Sequence, residues 1–254
     1  MAMLGLSGLQ VEDCARKHTR KCEPGRLDVW LLSTRMSQAD REIYEGVLTS
    51  EEKQRVGRFH FDADRARSIA GRGGLRWILS AYCGGIPPGD LMFETGLHGK
   101  PALIGLPAPA FNVSHSGECV LIGIMTGAQC GVDIERKRSC LDEESIAQRF
   151  FCQREVEWLR RTKDGFLRLW TAKEAIIKAV GGGLSIPLTD VDVTDVVDGK
   201  TFAMTLKTPG TPEQVICLRE LELATEYTSA VAVTGEQPAI CLISEEISGD
   251  PHVC

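Results

Sequence analysis

The stretch FLRLWTAKEAIIKAV, residues 166–180, constrains this chain most. It holds neither proline nor glycine and runs straight into Gly181–Gly182–Gly183, so it predicts a helix with a sharp stop. Leu169, Ala172, Ile176 and Val180 form one apolar stripe, which must lie on a core. Trp170, Glu174 and Lys178 recur at i, i+4 and i+8 and form a second line. Two readings of that line stand. An exposed Glu–Lys pair adds only about 0.3–0.5 kcal/mol to a helix. The other reading sets a carboxylate and an ammonium, one turn apart, into a shared site.

GVDIE, residues 131–135, bears on that choice. In a strand, i and i+2 share a face, so Val132 and Ile134 point inward while Asp133 and Glu135 point together to the other side. Adjacent like charges repel, and a cation relieves them; paired hard oxygens suit Mg²⁺. The plain alternative is two solvated acids on an exposed strand. Three carboxylates (Asp133, Glu135, Glu174) with Lys178 would suit phosphoryl transfer, in which metal and ammonium neutralise phosphate charge and a carboxylate takes a hydroxyl proton. Lys100, Ser114 and His115 offer further phosphate contacts, although a histidine in SHS is more often a structural hydrogen-bonder.

The remaining chain reads as mixed strands and helices. LDVWLLS (27–33), DVDVTDVV (190–197), FAMTLKT (202–208), VICLREL (215–221) and YTSAVAVTG (227–235) are strand-like. CVLIGIMTGAQCGVDIERK (119–137) reads as a hairpin about Thr126–Gly127. Residues 37–59 alternate helix and turn, with Ser50 as a helix cap. Residues 62–85 and 145–161 read as helices, the first interrupted by Gly71, Gly73 and Gly74. Those glycines follow no strand, which excludes a dinucleotide fingerprint. The expectation is an α+β protein: a loose segment over 1–25, an N-terminal lobe over 26–127 and a C-terminal lobe over 128–254.

Composition narrows the function classes. At 254 residues, 43% hydrophobic and 25% charged, the chain has material for one large or two small cores. Net charge is −6, which argues against nucleic acid as a partner. Seven Lys/Arg against two Asp between Lys53 and Arg76 make a local anion site or a solvated helix face. Apolar runs are too short for a bilayer, and the start lacks a signal-peptide pattern. Ten cysteines are scattered without a CxxC pair, and several sit in apolar runs. A reduced, cytoplasmic protein is expected, which also weakens NVS (112–114) as a glycosylation site.

GKP (99–101), FNVSHSG (111–117), GVDIE (131–135) and WTAKEAIIKAVGGGL (170–184), in this order, closely resemble the larger, Sfp-like 4′-phosphopantetheinyl transferases. So does EEKQRVGRF with AGRGGLR (51–76). The resemblance covers most of residues 50–190. It implies two similar α+β lobes related by a pseudo-twofold axis, an active site in the cleft between them, and a monomer. It implies transfer of phosphopantetheine from coenzyme A to a serine of an apo acyl or peptidyl carrier protein, releasing adenosine 3′,5′-bisphosphate. By the same match, Asp133, Glu135 and Glu174 would hold Mg²⁺, Glu174 would act as base, and Lys178 would neutralise the pyrophosphate. Arg55, Lys100, Ser114 and His115 would contact coenzyme A phosphates, and Glu155 matches a further acidic position. Glu52 departs from the family pattern, standing where some members have a lysine. Trp170 with Lys173–Ala175 resembles the subgroup that serves polyketide, glycolipid and fatty-acid carriers. Set against this are a Mg²⁺-dependent phosphohydrolase or nucleotidyl transferase, and a non-catalytic binding module.

Overall fold

The computed structural model describes residues 19–96, 99–105, 108–138, 142–183, 186–207 and 213–243. Most of the lead-in expected over 1–25 lies outside these residues, as does the tail after Ile243.

Strand β1 (Arg26–Ser33) is buried from Leu27 to Leu32. Leu27, Val29 and Leu31 enter one apolar cluster, Trp30 and Leu32 another. A strand apolar on both faces needs a cover on each. One cover is helical: α1 (Gln38–Gly46), α2 (Ser50–Gly57) and the long α3 (Asp62–Tyr82). Capping boxes start α1 and α2, from Ser37 with Asp40 and from Thr49 with Glu52. The cap of α2 is therefore Thr49, one residue before the predicted Ser50. The glycines that weaken α3 on propensity allow it to pack. A Cβ at Gly73 would fall 2.6 Å from Tyr44 Cβ on α1.

β1 lies in a sheet of order β10–β1–β5–β4, with β4 spanning Ala110–Ser116, β5 Cys119–Met125 and β10 Ala239–Ile243. β10 runs parallel to β1, from Arg26 opposite Ala239 to Trp30 opposite Ile243. A segment counted with the second lobe thus completes the sheet of the first. A short hairpin of β2 (Phe93–Thr95) and β3 (Pro101–Leu103) stands apart.

The second sheet has the order β6–β9–β8–β7 and is antiparallel throughout: β6 Cys130–Arg136, β7 Ala203–Leu206, β8 Gln214–Leu221 and β9 Tyr227–Thr234. Val132, Ile134, Val231 and Val233 share a cluster with Leu27, Val29 and Leu31, so the two sheets pack on each other. The outer face of the second sheet, with Ile216, Leu218, Ala230 and Ala232, takes α6 (Phe166–Val180), flanked by α4 (Glu143–Phe150), α5 (Gln153–Leu159) and the short α7 (Thr194–Val197). α6 has the predicted bounds, and Gly181 closes it at φ 75°. Among the described residues, no helix is long and apolar enough to cross a membrane. Cys22, Cys83, Cys119, Cys130, Cys152 and Cys217 are free thiols, and burial pushes that of Cys130 up to about 12.

Three expectations are corrected. β5 and β6 do not form a hairpin: β1 and β4 already pair with both edges of β5, leaving no ladder for β6. The helix expected over 145–161 breaks at Phe151–Cys152, where the Glu155 carboxylate accepts from Cys152 N and starts α5. Residues 190–197 are not a strand. Asp192 accepts from Thr194 N and Oγ1, and Glu155 accepts from Val193 N, so polar side chains take the backbone groups a ladder would need.

Candidate active site

β6 and α6 meet closely because small residues line their contact. An added Cβ on Gly131 would sit 2.0 Å from Ala175 O and 2.4 Å from Ala179 N. Since Val132 and Ile134 fill the inter-sheet cluster, alternation turns Asp133 and Glu135 the other way. α6 presents Trp170, Glu174 and Lys178 as part of its less buried face.

Asp133 is 3% exposed. Its Oδ1 accepts from Lys178 Nζ at 2.6 Å and from Ser114 Oγ at 2.7 Å. Its Oδ2 is buried with no hydrogen-bond partner among the described residues. Glu135 Oε2 accepts from Ser116 Oγ at 2.7 Å. Burial pushes the Glu135 carboxyl above the ordinary glutamate range; the Ser116 hydrogen bond opposes this, and the Asp133 charge adds to it. Burial also raises Glu174, against Lys178 and with help from the charges of Asp133 and Glu135. The three acids therefore share one electrostatic neighbourhood. Their ligand atoms are set wider than those of Cys152, Glu155 and Asp192, which lie within 4.8 Å of one another.

That tighter group is a structural knot. Glu155 and Lys173 are both fully buried and ion-paired, and Lys173 Nζ also donates to Val191 O. Glu155 accepts from two backbone amides besides. The acidic position matched at Glu155 thus serves the inside of the second lobe, and Glu155 lines neither groove described next.

Two grooves reach the cluster. One, of about 580 Å³, is lined by Lys100, Glu174 and Lys178, with Phe150, Ile186 and Leu188 on its walls. The other, of about 430 Å³, is lined by Glu135, His115, Arg67, Arg136 and Arg138, with Trp170 at its side. Lys100 Nζ donates to Lys178 O at 3.0 Å and Cys130 O at 3.2 Å, pinning the GKP segment to the last turn of α6. Burial pushes its ammonium below the usual lysine value. His115 is exposed on β4. Arg55 lies apart, exposed on α2 and 3.2 Å from Glu51, and lines neither groove. Glu52 is buried and bonds Arg72 and Arg76, so its place in this chain is filled by an internal ion-pair network. Sequence reasoning passed over Gly131, whose signal is a glycine facing alanines, and Arg136 and Arg138 at the end of β6, whereas Arg67 belongs to the basic segment over 53–76 that it singled out.

A carboxylate cluster with an ammonium inside, flanked by a groove rich in arginines and one with apolar walls, has the chemistry to suit a phosphate ester with an apolar extension. Comparison with known proteins agrees. Residues 129–232 match the 4′-phosphopantetheinyl transferase superfamily, and residues 36–126 match the N-terminal region of 4′-phosphopantetheinyl transferases. The chain is 38% identical over 165 residues to the 4′-phosphopantetheinyl transferase HetI of Nostoc sp., covering 62% of this chain and 69% of that protein. It is 33% identical over 170 residues to the 4′-phosphopantetheinyl transferase Sfp of Bacillus subtilis, covering 65% and 74%. A third relative is the L-aminoadipate-semialdehyde dehydrogenase-phosphopantetheinyl transferase of Xenopus laevis, 30% identical over 217 residues, covering 78% and 72%. The chain belongs to the 4′-phosphopantetheinyl transferase family. It is a transferase, and the hydrolase and binding-module alternatives are not favoured.

Proposed function

We propose that the chain moves the phosphopantetheine arm of coenzyme A to a serine of an apo acyl or peptidyl carrier, with Mg²⁺ held by Asp133, Glu135 and Glu174. The observation that carries the metal is Asp133 Oδ2, a carboxylate oxygen buried without a partner. Such an atom costs about 1–3 kcal/mol or more. Hard oxygen donors, two of them on carboxyls pushed upward by burial, suit a small divalent cation. When bound, Mg²⁺ would neutralise the pyrophosphate.

The chain's own residues do the rest. Lys178, 2.6 Å from Asp133 in the free protein, turns to the pyrophosphate as negative charge gathers on the leaving group. Glu174 takes the serine proton, directly or through one water. The serine Oγ bonds to the β-phosphorus. The bond from that phosphorus to the bridging oxygen breaks, and adenosine 3′,5′-bisphosphate leaves with the electron pair. The groove with Arg136 and Arg138 supplies cations for the nucleotide phosphates; Arg67 there is paired with Asp64, and His115 offers ring nitrogens for hydrogen bonds. The apolar walls of the other groove suit the pantetheine arm. Lys100 stiffens the site rather than offering a free ammonium, since two backbone carbonyls hold it. The second lobe furnishes the acids and Lys178, and the first furnishes Ser114 and Ser116 beside them with Arg67 and His115 in the groove, so both lobes of one chain line the site and the proposed working form is a monomer.

Intact-mass analysis of apo carriers with coenzyme A and Mg²⁺ tests this. A gain of one phosphopantetheine is expected, lost in Asp133→Ala and Glu174→Ala while the circular dichroism stays that of the parent. Either folded variant modifying carrier at the parent rate overturns the metal assignment. Steady coenzyme A hydrolysis without carrier overturns the transfer.

A further inference from the structure

β6 is the edge strand of the second sheet, and its ladder with β9 uses only one side. On the open side, N–H groups at alternate residues meet side chains of β4. Val132 N donates to Asn112 Oδ1 at 2.9 Å, Ile134 N to Ser114 Oγ at 3.4 Å and Arg136 N to Ser116 Oγ at 3.0 Å. Three side chains at i, i+2 and i+4 thus stand in for a neighbouring strand and seal the seam between the sheets.

Two of these rungs do more. Ser114 Oγ donates to Asp133 Oδ1, and Ser116 Oγ donates to Glu135 Oε2, each at 2.7 Å. A hydroxyl has one proton. Once its oxygen is held by a backbone N–H, that proton has one strong acceptor left, the carboxylate beside it. The carboxylate is then fixed in rotation by a group that is itself fixed by the backbone. Ser116 is 5% exposed, so water does not compete freely for the contact. Without it, Glu135 would be free to swing along its groove toward Arg136 and Arg138.

We infer that Ser116 is a positioning residue: it holds the Glu135 carboxylate in the orientation that binds the divalent ion. This rests on the reading of Glu135 as a metal ligand. Asn112, the rung that touches no carboxylate, supplies the comparison.

The test is direct Mn²⁺ binding to the full chain with saturating coenzyme A, read from loss of the free-ion paramagnetic resonance signal. Removing such a supporting hydrogen bond typically weakens metal binding about 10–100-fold. Ser116→Ala is expected to fall in that range, whereas Ser116→Thr, which keeps the hydroxyl, stays near the parent. If the alanine variant folds poorly, Ser116→Val against Ser116→Thr isolates the hydroxyl at constant shape. Asn112→Ala should lower the melting temperature; because Asn112 lines the groove given to the pantetheine arm, its titration is run at a coenzyme A concentration saturating for that variant, and the Mn²⁺ affinity then stays unchanged. Parental Mn²⁺ affinity in Ser116→Ala, or an equal loss in Ser116→Ala and Asn112→Ala, overturns the inference. So does a parent that modifies carrier yet binds no Mn²⁺. A parent that modifies no carrier, with Mn²⁺ binding still weakened by Ser116→Ala, sinks the transfer reading and leaves this inference standing.

Discussion

Burial sets the behaviour of the two flanking acids at the residue scale. Glu135 and Glu174 both have carboxyls pushed above the ordinary glutamate range. The fold therefore binds their protons more tightly than the unfolded chain does. The stability this adds is full below the ordinary carboxylate range and is lost as pH rises through the raised values. Above those raised values, the ionised Glu135 and Glu174 carboxylates are a strain on the free protein. Glu174→Gln should raise the melting temperature at pH 7 and change it less near pH 4, by calorimetry, while transfer falls about 10²-fold or more. If the acids hold the metal as proposed, transfer needs their ionised forms, and the acid limb of kcat/KM should lie above the ordinary glutamate range at low Mg²⁺. It should move to lower pH as Mg²⁺ rises, since the ion competes with protons for the same oxygens. A limb that ignores Mg²⁺ would argue against the cluster as ligand set. The chemistry of Asp133, Glu135, Glu174 and Lys178 was legible as residue types at spacings. The hydrogen bonds from Ser114 to Asp133 and from Ser116 to Glu135 were not, because those serines lie 19 residues before their partners on a strand of the other sheet.

Elements meet at distances their smallest residues allow. α6 lies on β6 at Gly131, with Ala175 and Ala179 opposite. Gly131→Ala would drive a methyl into helix backbone, and backbone does not yield as a flexible side chain does. Overpacking of this kind costs typically about 1–3 kcal/mol. The larger effect should be functional: the helix carrying Glu174 and Lys178 moves off the strand carrying Asp133 and Glu135. A loss of transfer well beyond the loss of stability is expected, read by intact mass alongside thermal melting; near-parental transfer would contradict the close contact. The bounds of α6 were readable because periodicity and a glycine stop are local. The break at Cys152, the helix at Thr194–Val197 and the separation of β5 from β6 were not. Each depends on which distant group takes a backbone N–H or a strand edge.

The whole molecule is tied by a strand that changes sides. β10 follows the second sheet in sequence yet pairs with β1 in the first. Deleting residues 239–254 should leave the edge of β1 open and uncover apolar surface that Ile243 now shields. The expected outcome is a loss of more than about 3 kcal/mol in urea unfolding, from the missing apolar burial alone, with aggregation through the bared edge. An unchanged midpoint would show that β10 adds nothing. Unfolding of the parent should be a single transition, since the cluster of Leu27, Val29, Leu31, Val132, Ile134 and Val231 belongs to both sheets.

By itself the sequence determined the helix at 166–180, most strands, the acids and the ammonium, and through its ordered motifs the family. These follow from period, propensity and residue chemistry, all of which act over a few neighbours. Only the tertiary structure decided that β10 returns to β1, that β4 side chains seal β6, that Glu155 serves Lys173 and that Arg55 stands outside both grooves. Those outcomes turn on competition for buried space and for unpaired backbone groups, and the whole chain must fold before that competition is settled.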